Sequence, residues 1–142
     1  MYVVDASVWV SRFLPSDAFH QTSVDWLRKR AASGELLSAP GLLLVEVAGA
    51  VARRTASPQA GANAARLVEG LPNSRLVPMD APLVKLSTEL AADRRLRGAD
   101  AFYVALAHRL GLPLVTWDGE LLSQHGHGII ALTPQEALTG WP

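Results

Sequence analysis

Hydrophobic and polar positions along the chain follow two patterns, short apolar runs and longer segments with helical spacing. The apolar runs predict strands that are buried on both faces, as in a parallel sheet. They lie at 2–5, 36–39, 75–78, 112–116 and 129–132. The segments with helical spacing or helix-boundary residues predict helices at 6–13, 18–32, 42–54, 58–69, 81–97, 100–110, 118–124 and 134–138.

Strands and helices alternate along the whole chain, which predicts an α/β fold with a mainly parallel sheet. No internal repeat and no stretch long enough for a flexible linker is visible, so a single domain over 1–142 is expected. Ligands of such sheets bind beyond the carboxyl ends of the strands. Candidate chemistry is therefore sought at that edge.

The composition of the chain excludes some classes of function. The chain has no cysteine, which excludes a disulfide framework and a thiolate metal site. Thirteen basic residues balance thirteen acidic ones, which argues against a uniformly basic surface for duplex binding. Neither a signal peptide nor an apolar stretch long enough to span a membrane is visible, so we expect a soluble, cytoplasmic chain with no membrane partner.

Two predicted strands lead into carboxylates in the same way. Asp5 ends the first strand and Asp118 follows the fourth, so both are expected at one edge of the sheet. Ser7 and Thr116 place a hydroxyl close to each acid. Either acid taken alone has a simpler explanation, because Asp5 could cap the next helix and Asp118 could be a turn residue.

Two further acids occur in apolar surroundings. Glu46 lies within LLLVEVAGAVA, where an unpaired buried carboxylate would be strongly unfavourable, although a solvated helix face remains an alternative. Asp100 opens an almost wholly apolar helix, and it could also be a cap. All four acids fall where they can lie at one edge of an α/β sheet. Capping, a turn or a solvated helix face explains each acid separately but does not explain why all four occur at that edge.

Gathered carboxylates repel each other, so such a site needs protonated acids or a cation among them. Hard divalent cations prefer oxygen ligands, and a site without cysteine favours Mg²⁺ or Mn²⁺ over Zn²⁺. A cation held in this way can lower the pKa of a water molecule and bind a phosphate.

Four sequence blocks occur in the chain order MYVVDASVWV, VEVAGAVAR, LRGADAFYVALA and LVTWDGELL. They resemble the signature blocks of PIN-domain proteins, and most of all those of the VapC-type toxins of bacterial toxin–antitoxin pairs. The resemblance implies a three-layer α/β/α sandwich with a mainly parallel sheet, and an Mg²⁺- or Mn²⁺-dependent endoribonuclease that cleaves RNA. It also implies a homodimer and inhibition by a small antitoxin protein.

The resemblance also implies the site residues. The metal-binding acids of the family fall on Asp5, Glu46, Asp100 and Asp118, and its catalytic hydroxyls fall on Ser7 and Thr116. Trp117 stands where family members often have a small or polar residue, so the shape of the site's rim is not predicted.

Several other residues are candidates for binding or catalysis. Arg12, Arg53 and Arg54 are candidates for contacts with the RNA backbone, although a solvated charged face explains each as well. His125 and His127 fit a solvated Gly-rich turn better than a metal site. Phosphate-binding loop motifs are absent. The alternative function is a non-catalytic binding module on the same fold, which would recognise protein or RNA.

Overall fold

The five strands form one sheet in which every neighbouring pair is parallel. A computed structural model describes residues 1–140 of the chain. The sheet order is β3-β2-β1-β4-β5, with strands β1 Tyr2–Val4, β2 Leu37–Pro40, β3 Ser74–Val77, β4 Leu114–Val115 and β5 Ala131–Leu132. The predicted parallel α/β fold is confirmed.

Helices surround this sheet. They are α1 Ala6–Phe13, α2 His20–Ala32, α3 Leu43–Thr55, α4 Pro58–Glu69, α5 Ala81–Arg94, α6 Gly98–Leu110, α7 Gly119–Leu122 and α8 Pro134–Thr139. α6 contacts β1, β2 and β4, which explains why its sequence is apolar almost all round. No helix within residues 1–140 is long and apolar enough to cross a membrane.

Two predicted helix boundaries near Gly98 are wrong. We expected Gly98 to break the chain before a helix that begins at Asp100, but α6 begins at Gly98 itself, after Arg97 in the N-cap position. The preceding helix already ends at Arg94, and Arg95 adopts the left-handed conformation with φ of 55°. Asp100 therefore lies in the first turn of α6 and does not cap the helix, so the capping interpretation fails for this acid.

The strand order reverses between β1 and β4, and this reversal positions the candidate site. Chain connections from these two adjacent strands leave in opposite directions, which opens a crevice at their carboxyl ends. The backbone N–H of Asp5 donates to the carbonyl of Val115 at 3.0 Å, which brings Asp5 beside Thr116. Residues far apart in sequence thus meet at one point of the sheet edge.

A close helix contact generates the first prediction. A Cβ atom at Gly61 on α4 would overlap the carbonyl oxygen of Ala48 and the methyl group of Ala52, both on α3. Gly61→Ala should push the two helices apart and lower the free energy of unfolding by about 1–3 kcal/mol, measured by urea denaturation. Gly98→Ala is the matched control, because a Cβ there meets nothing within 4 Å. Equal stability of the two variants would contradict the close contact.

Candidate active site

Asp5 is a buried carboxylate at the junction of β1 and α1. Its side chain is 6% exposed. Its Oδ2 atom accepts hydrogen bonds from the Ser7 backbone N–H at 3.2 Å, the Ser7 hydroxyl at 2.6 Å and the Thr116 hydroxyl at 2.9 Å. The first of these bonds caps α1, so the capping interpretation is correct for Asp5. Burial raises the pKa of Asp5, and these hydrogen bonds oppose the increase.

The hydroxyls of Ser7 and Thr116 join the two strand ends. The Ser7 hydroxyl oxygen accepts from the Trp117 backbone N–H at 3.0 Å, and the Thr116 hydroxyl oxygen accepts from the Asp118 N–H at 2.9 Å. Each hydroxyl donates to Asp5 while it accepts from the loop after β4. The two loops are therefore fixed relative to each other through Asp5.

Asp118 lies in that second loop and caps α7. Its Oδ1 atom accepts from the backbone N–H groups of Glu120 at 2.7 Å and Leu121 at 3.2 Å. Its Oδ2 atom lies 3.7 Å from the Arg97 guanidinium. One oxygen of Asp118 thus serves the local turn and the other faces a cation.

Glu46 lies in the first turn of α3 and is half-buried. Its Oε2 atom accepts a 2.6 Å hydrogen bond from the hydroxyl of Tyr103, a fully buried residue of α6. Burial raises the pKa of Glu46 to about 7, and repulsion from Asp5 and Asp100 acts in the same direction. This repulsion indicates that acids from β1, α3 and α6 are near neighbours.

Asp100 has an unsatisfied carboxylate oxygen. Its buried Oδ2 atom accepts no hydrogen bond from residues 1–140, and the Nε atom of Arg97 lies 3.3 Å away as an ion-pair contact. Burial raises the pKa of Asp100, and the charge of Asp118 contributes to the increase. A buried oxygen without a donor is costly unless a cation satisfies it.

Arg97 supplies a cation from within the chain. Its guanidinium contacts Asp100 at 3.3 Å, Asp118 at 3.7 Å and Glu120 at 3.2 Å. These acids raise the pKa of Arg97. The Arg97 side chain is 69% exposed, so nothing packs it permanently against the acids.

The four predicted acids share one edge of the sheet, but they do not form a ready metal cluster. Within residues 1–140, no three or more His, Asp or Glu side chains are close enough together to hold an ion as they stand. Hydrogen bonds hold Asp5 and Glu46, and Arg97 lies between Asp100 and Asp118. The available ligand atoms are carboxylate oxygens and Asp100 Oδ2 is unsatisfied, which fits a hard divalent cation.

Three residues around the acids were not predicted. Arg97 precedes Asp100 by one helical turn, and Glu120 follows Asp118 by two positions. Their spacing from a predicted acid could have indicated that both lie beside the site. Tyr103 was expected in the core or at an interface. It is fully buried, but its hydroxyl also holds Glu46, and no local pattern indicates that partner.

The three candidate arginines lie at two different pockets. Arg53 and Arg54 line a cavity that also includes Glu46 and Asp118. Arg12 lines a different pocket, next to Trp9. His125 interacts with the backbone of Ala131, so its environment is structural.

Comparisons with known proteins agree with one family. The sequence profile of the PIN domain matches residues 2–126. Ribonuclease VapC12 of Mycobacterium tuberculosis is 35% identical over 131 residues, which cover 89% of this chain and 94% of that protein.

Solved structures share the fold. The sarcin–ricin loop cleaving toxin VapC20 of Mycobacterium tuberculosis has a TM-score of 0.72 and 22% identity, over 87% of this chain and 94% of that chain. A toxin–antitoxin complex from Klebsiella pneumoniae has a TM-score of 0.69 and 17% identity, over 94% of this chain and 98% of that chain. At these identities the similarity shows the fold.

The raised pKa of Glu46 generates a stability prediction. An acid whose pKa rises on folding favours the folded state below its unfolded value of 4.5, and this contribution is lost as the pH rises to about 7. Glu46→Gln keeps an acceptor for Tyr103 and cannot ionise. In metal-free protein it should raise the free energy of unfolding by about 1 kcal/mol at pH 8, after a discount for partial exposure, and change it little at pH 4.5.

Urea denaturation in EDTA at the two pH values measures this difference. Glu89→Gln, an exposed acid on α5, is the control and should change little at either pH. A destabilised Glu46→Gln variant at pH 8 would show that the charged carboxylate stabilises the fold.

Proposed function

The chain belongs to the PIN-domain family, and on that basis we propose that it is an endoribonuclease, the toxin of a type II toxin–antitoxin pair. It hydrolyses phosphodiester bonds of RNA. The observation that carries this proposal is that Asp5 and Asp118 follow adjacent strands at the reversal point of the sheet and are joined there through the Thr116 hydroxyl. Burial raises the pKa values of Asp5, Glu46 and Asp100. The relative that matches almost all of the chain is a ribonuclease.

We propose that the four acids hold Mg²⁺ or Mn²⁺. A bound divalent cation of this kind lowers the pKa of water and neutralises charge on a phosphate. Ser7 and Thr116 act as positioning residues, because both hydroxyls donate to Asp5 Oδ2. Burial raises the pKa of Glu46 to about 7 in the metal-free protein, so this acid exchanges a proton near neutral pH before a cation binds.

Arg97 has a separate role in this proposal. Its guanidinium offsets repulsion between Asp100 and Asp118 while no divalent cation is bound. Since the side chain is mostly exposed, it can leave the acids when such a cation arrives. Arg97 therefore makes the metal-free site less costly and competes with metal binding.

The proposed partners follow from the family. We expect a small antitoxin protein that inhibits the enzyme, a homodimer, and action on RNA in the cytoplasm. The toxin–antitoxin complex among the structural neighbours supports the first of these. A non-catalytic binding module remains the alternative function, and the presence of all four acids argues against it.

Replacement of Asp5 tests the endoribonuclease proposal. Asp5→Asn retains a capping side chain for α1 but loses the charge. RNA cleavage in the presence of Mg²⁺ or Mn²⁺ should fall by more than about 100-fold with no loss of the folded state, measured by gel assay and circular dichroism. Asp25→Asn, an exposed acid on α2, should retain full activity. If the wild-type chain free of antitoxin cleaves no RNA with either ion, the result contradicts the endoribonuclease proposal and favours the binding-module alternative.

Replacement of Arg97 tests its competition with metal. Arg97→Gln should strengthen Mn²⁺ binding about 5-fold, because it removes exposed ion pairs with Asp100 and Asp118, and calorimetric titration measures the change. Arg109→Gln is the matched control, since Arg109 pairs with Asp80 instead. Unchanged or weaker Mn²⁺ binding in Arg97→Gln would exclude the competition.

A further inference from the structure

A cavity of about 680 Å³ opens beside the acids, and none of the roles given above uses it. Glu46 and Asp118 line it, so it is continuous with the candidate active site. We call it the side pocket, and its other walls include Val10, Phe19, Ala50, Arg53 and Trp117. Its volume lies within the range of about 300–1,000 Å³ that small-molecule sites occupy.

Two stacked aromatic rings form one wall of the side pocket. The rings of Phe19 and Trp117 lie 4.1 Å apart between centroids and are inclined by only 10°. The indole N–H of Trp117 donates to the Ser23 hydroxyl oxygen at 2.8 Å, and Ser23 is fully buried. Phe19 is 44% exposed, so this fixed pair presents aromatic surface to solvent.

Asp17 fixes the loop that carries Phe19. Its Oδ1 atom accepts from the Phe19 backbone N–H at 2.9 Å, and its Oδ2 atom accepts from Arg54 at 2.9 Å. Arg54 belongs to the last turn of α3, so the loop is attached to the helix that also carries Glu46. The aromatic wall is therefore held in place relative to the acids before any ligand binds.

Arg53 leaves a free positive charge at the same pocket. It is exposed, and within residues 1–140 it has no ion-pair or hydrogen-bond partner, whereas the neighbouring Arg54 is bound to Asp17. Val10 and Ala50 add apolar surface. The side pocket thus combines a flat aromatic wall, an apolar surface, one free guanidinium and a direct opening to the acids.

We propose that the side pocket binds one unpaired nucleobase of single-stranded RNA, stacked against the Phe19–Trp117 pair, while Arg53 contacts an adjoining phosphate. Stacking on aromatic side chains combined with cationic contacts to the backbone is how proteins bind single-stranded RNA. The proposal rests on the proposed function for its statement that this RNA is the substrate. In that case the nucleotide in the side pocket lies next to the cleaved bond, and the pocket contributes to the choice of cleavage site.

A nucleobase fits these features better than an apolar side chain of a protein partner. An apolar side chain has no use for the free charge of Arg53, and it gains no specific advantage from two parallel rings. RNA also has to reach Glu46 and Asp118, which line the same pocket. One ligand therefore accounts for the aromatic wall, the charge and the position.

Oligonucleotide binding tests the proposal directly. The probes are fluorescein-labelled pentamers of A, C, G and U, and an abasic pentamer, titrated by fluorescence anisotropy into the Asp5→Asn variant so that they stay intact. Adding Phe19→Leu should weaken the binding of the tightest base-containing pentamer about 10-fold and leave the abasic pentamer unaffected. Phe19→Tyr should retain affinity. Leu67→Ala, which removes a 57% exposed side chain on α4, is the matched control and should change nothing.

Arg53 is tested in the same titrations. Arg53→Gln should lower the slope of log affinity against log salt concentration by about 0.7, as expected for the loss of one phosphate contact on a single strand. The Phe19 variants should leave that slope unchanged, because stacking neutralises no phosphate. An unchanged slope in Arg53→Gln would remove Arg53 from the proposal.

The outcomes separate this proposal from the proposed function. If Phe19→Leu binds every pentamer as well as its parent while thermal unfolding shows both folded, the nucleobase proposal is wrong, and a pocket for a protein partner would give that result. If the wild-type chain cleaves no RNA but binds the pentamers in a way that depends on Phe19, the nucleobase proposal is retained and the endoribonuclease proposal is excluded. If the wild-type chain cleaves RNA but neither RNA binding nor the choice of cleavage site changes in the Phe19 variants, the endoribonuclease proposal is retained and the nucleobase proposal is excluded.

Discussion

The burial of carboxylates is the constraint on which the organisation of this sheet edge depends. Burial raises the pKa values of Asp5, Glu46 and Asp100, and repulsion adds to the increase for Glu46 and Asp100, so each acid opposes folding when it is charged. Donors from distant parts of the chain offset this cost. Thr116 serves Asp5 across 111 positions and Tyr103 serves Glu46 across 57, so the acids connect β1 to β4 and α3 to α6. Pre-organised polar groups of this kind trade stability for function.

Capping and proposed chemistry are combined in the same side chains. Asp5 caps α1 and Asp118 caps α7, which satisfies backbone N–H groups that a helix end leaves free. A side chain that caps a helix has its position fixed by backbone geometry. The local structural role therefore supplies the rigidity that a metal ligand requires. For Asp5 and Asp118, the capping explanation and the site explanation are therefore compatible.

The sequence predicted the order of the elements because apolar periodicity reflects burial, and burial dominates a parallel sheet. It also predicted that Asp5 and Asp118, which follow β1 and β4, lie at one edge of the sheet. It did not predict how each acid is satisfied. The Tyr103–Glu46 bond is a single long-range contact between α6 and α3, and the position of Arg97 depends on a left-handed turn at Arg95. Neither follows from local spacing. The start of α6 was predicted wrongly for a different reason, because a glycine at a helix N-terminus cannot be distinguished in the sequence from a glycine that ends a helix.

Trp117 shows how a chain-specific feature can be built on a shared arrangement of acids. Its backbone N–H is part of the network that holds Asp5, through the Ser7 hydroxyl, and any residue except proline supplies that group. The side chain at this position is not constrained by that network. Here it is an indole, which donates a hydrogen bond to Ser23 and stacks on Phe19. The backbone of this position therefore maintains the acids while its side chain shapes the rim of the side pocket. Because substitution of the side chain leaves the backbone donor in place, the rim can change without loss of the acid network. Such a division allows one set of acids to be combined with different substrate preferences.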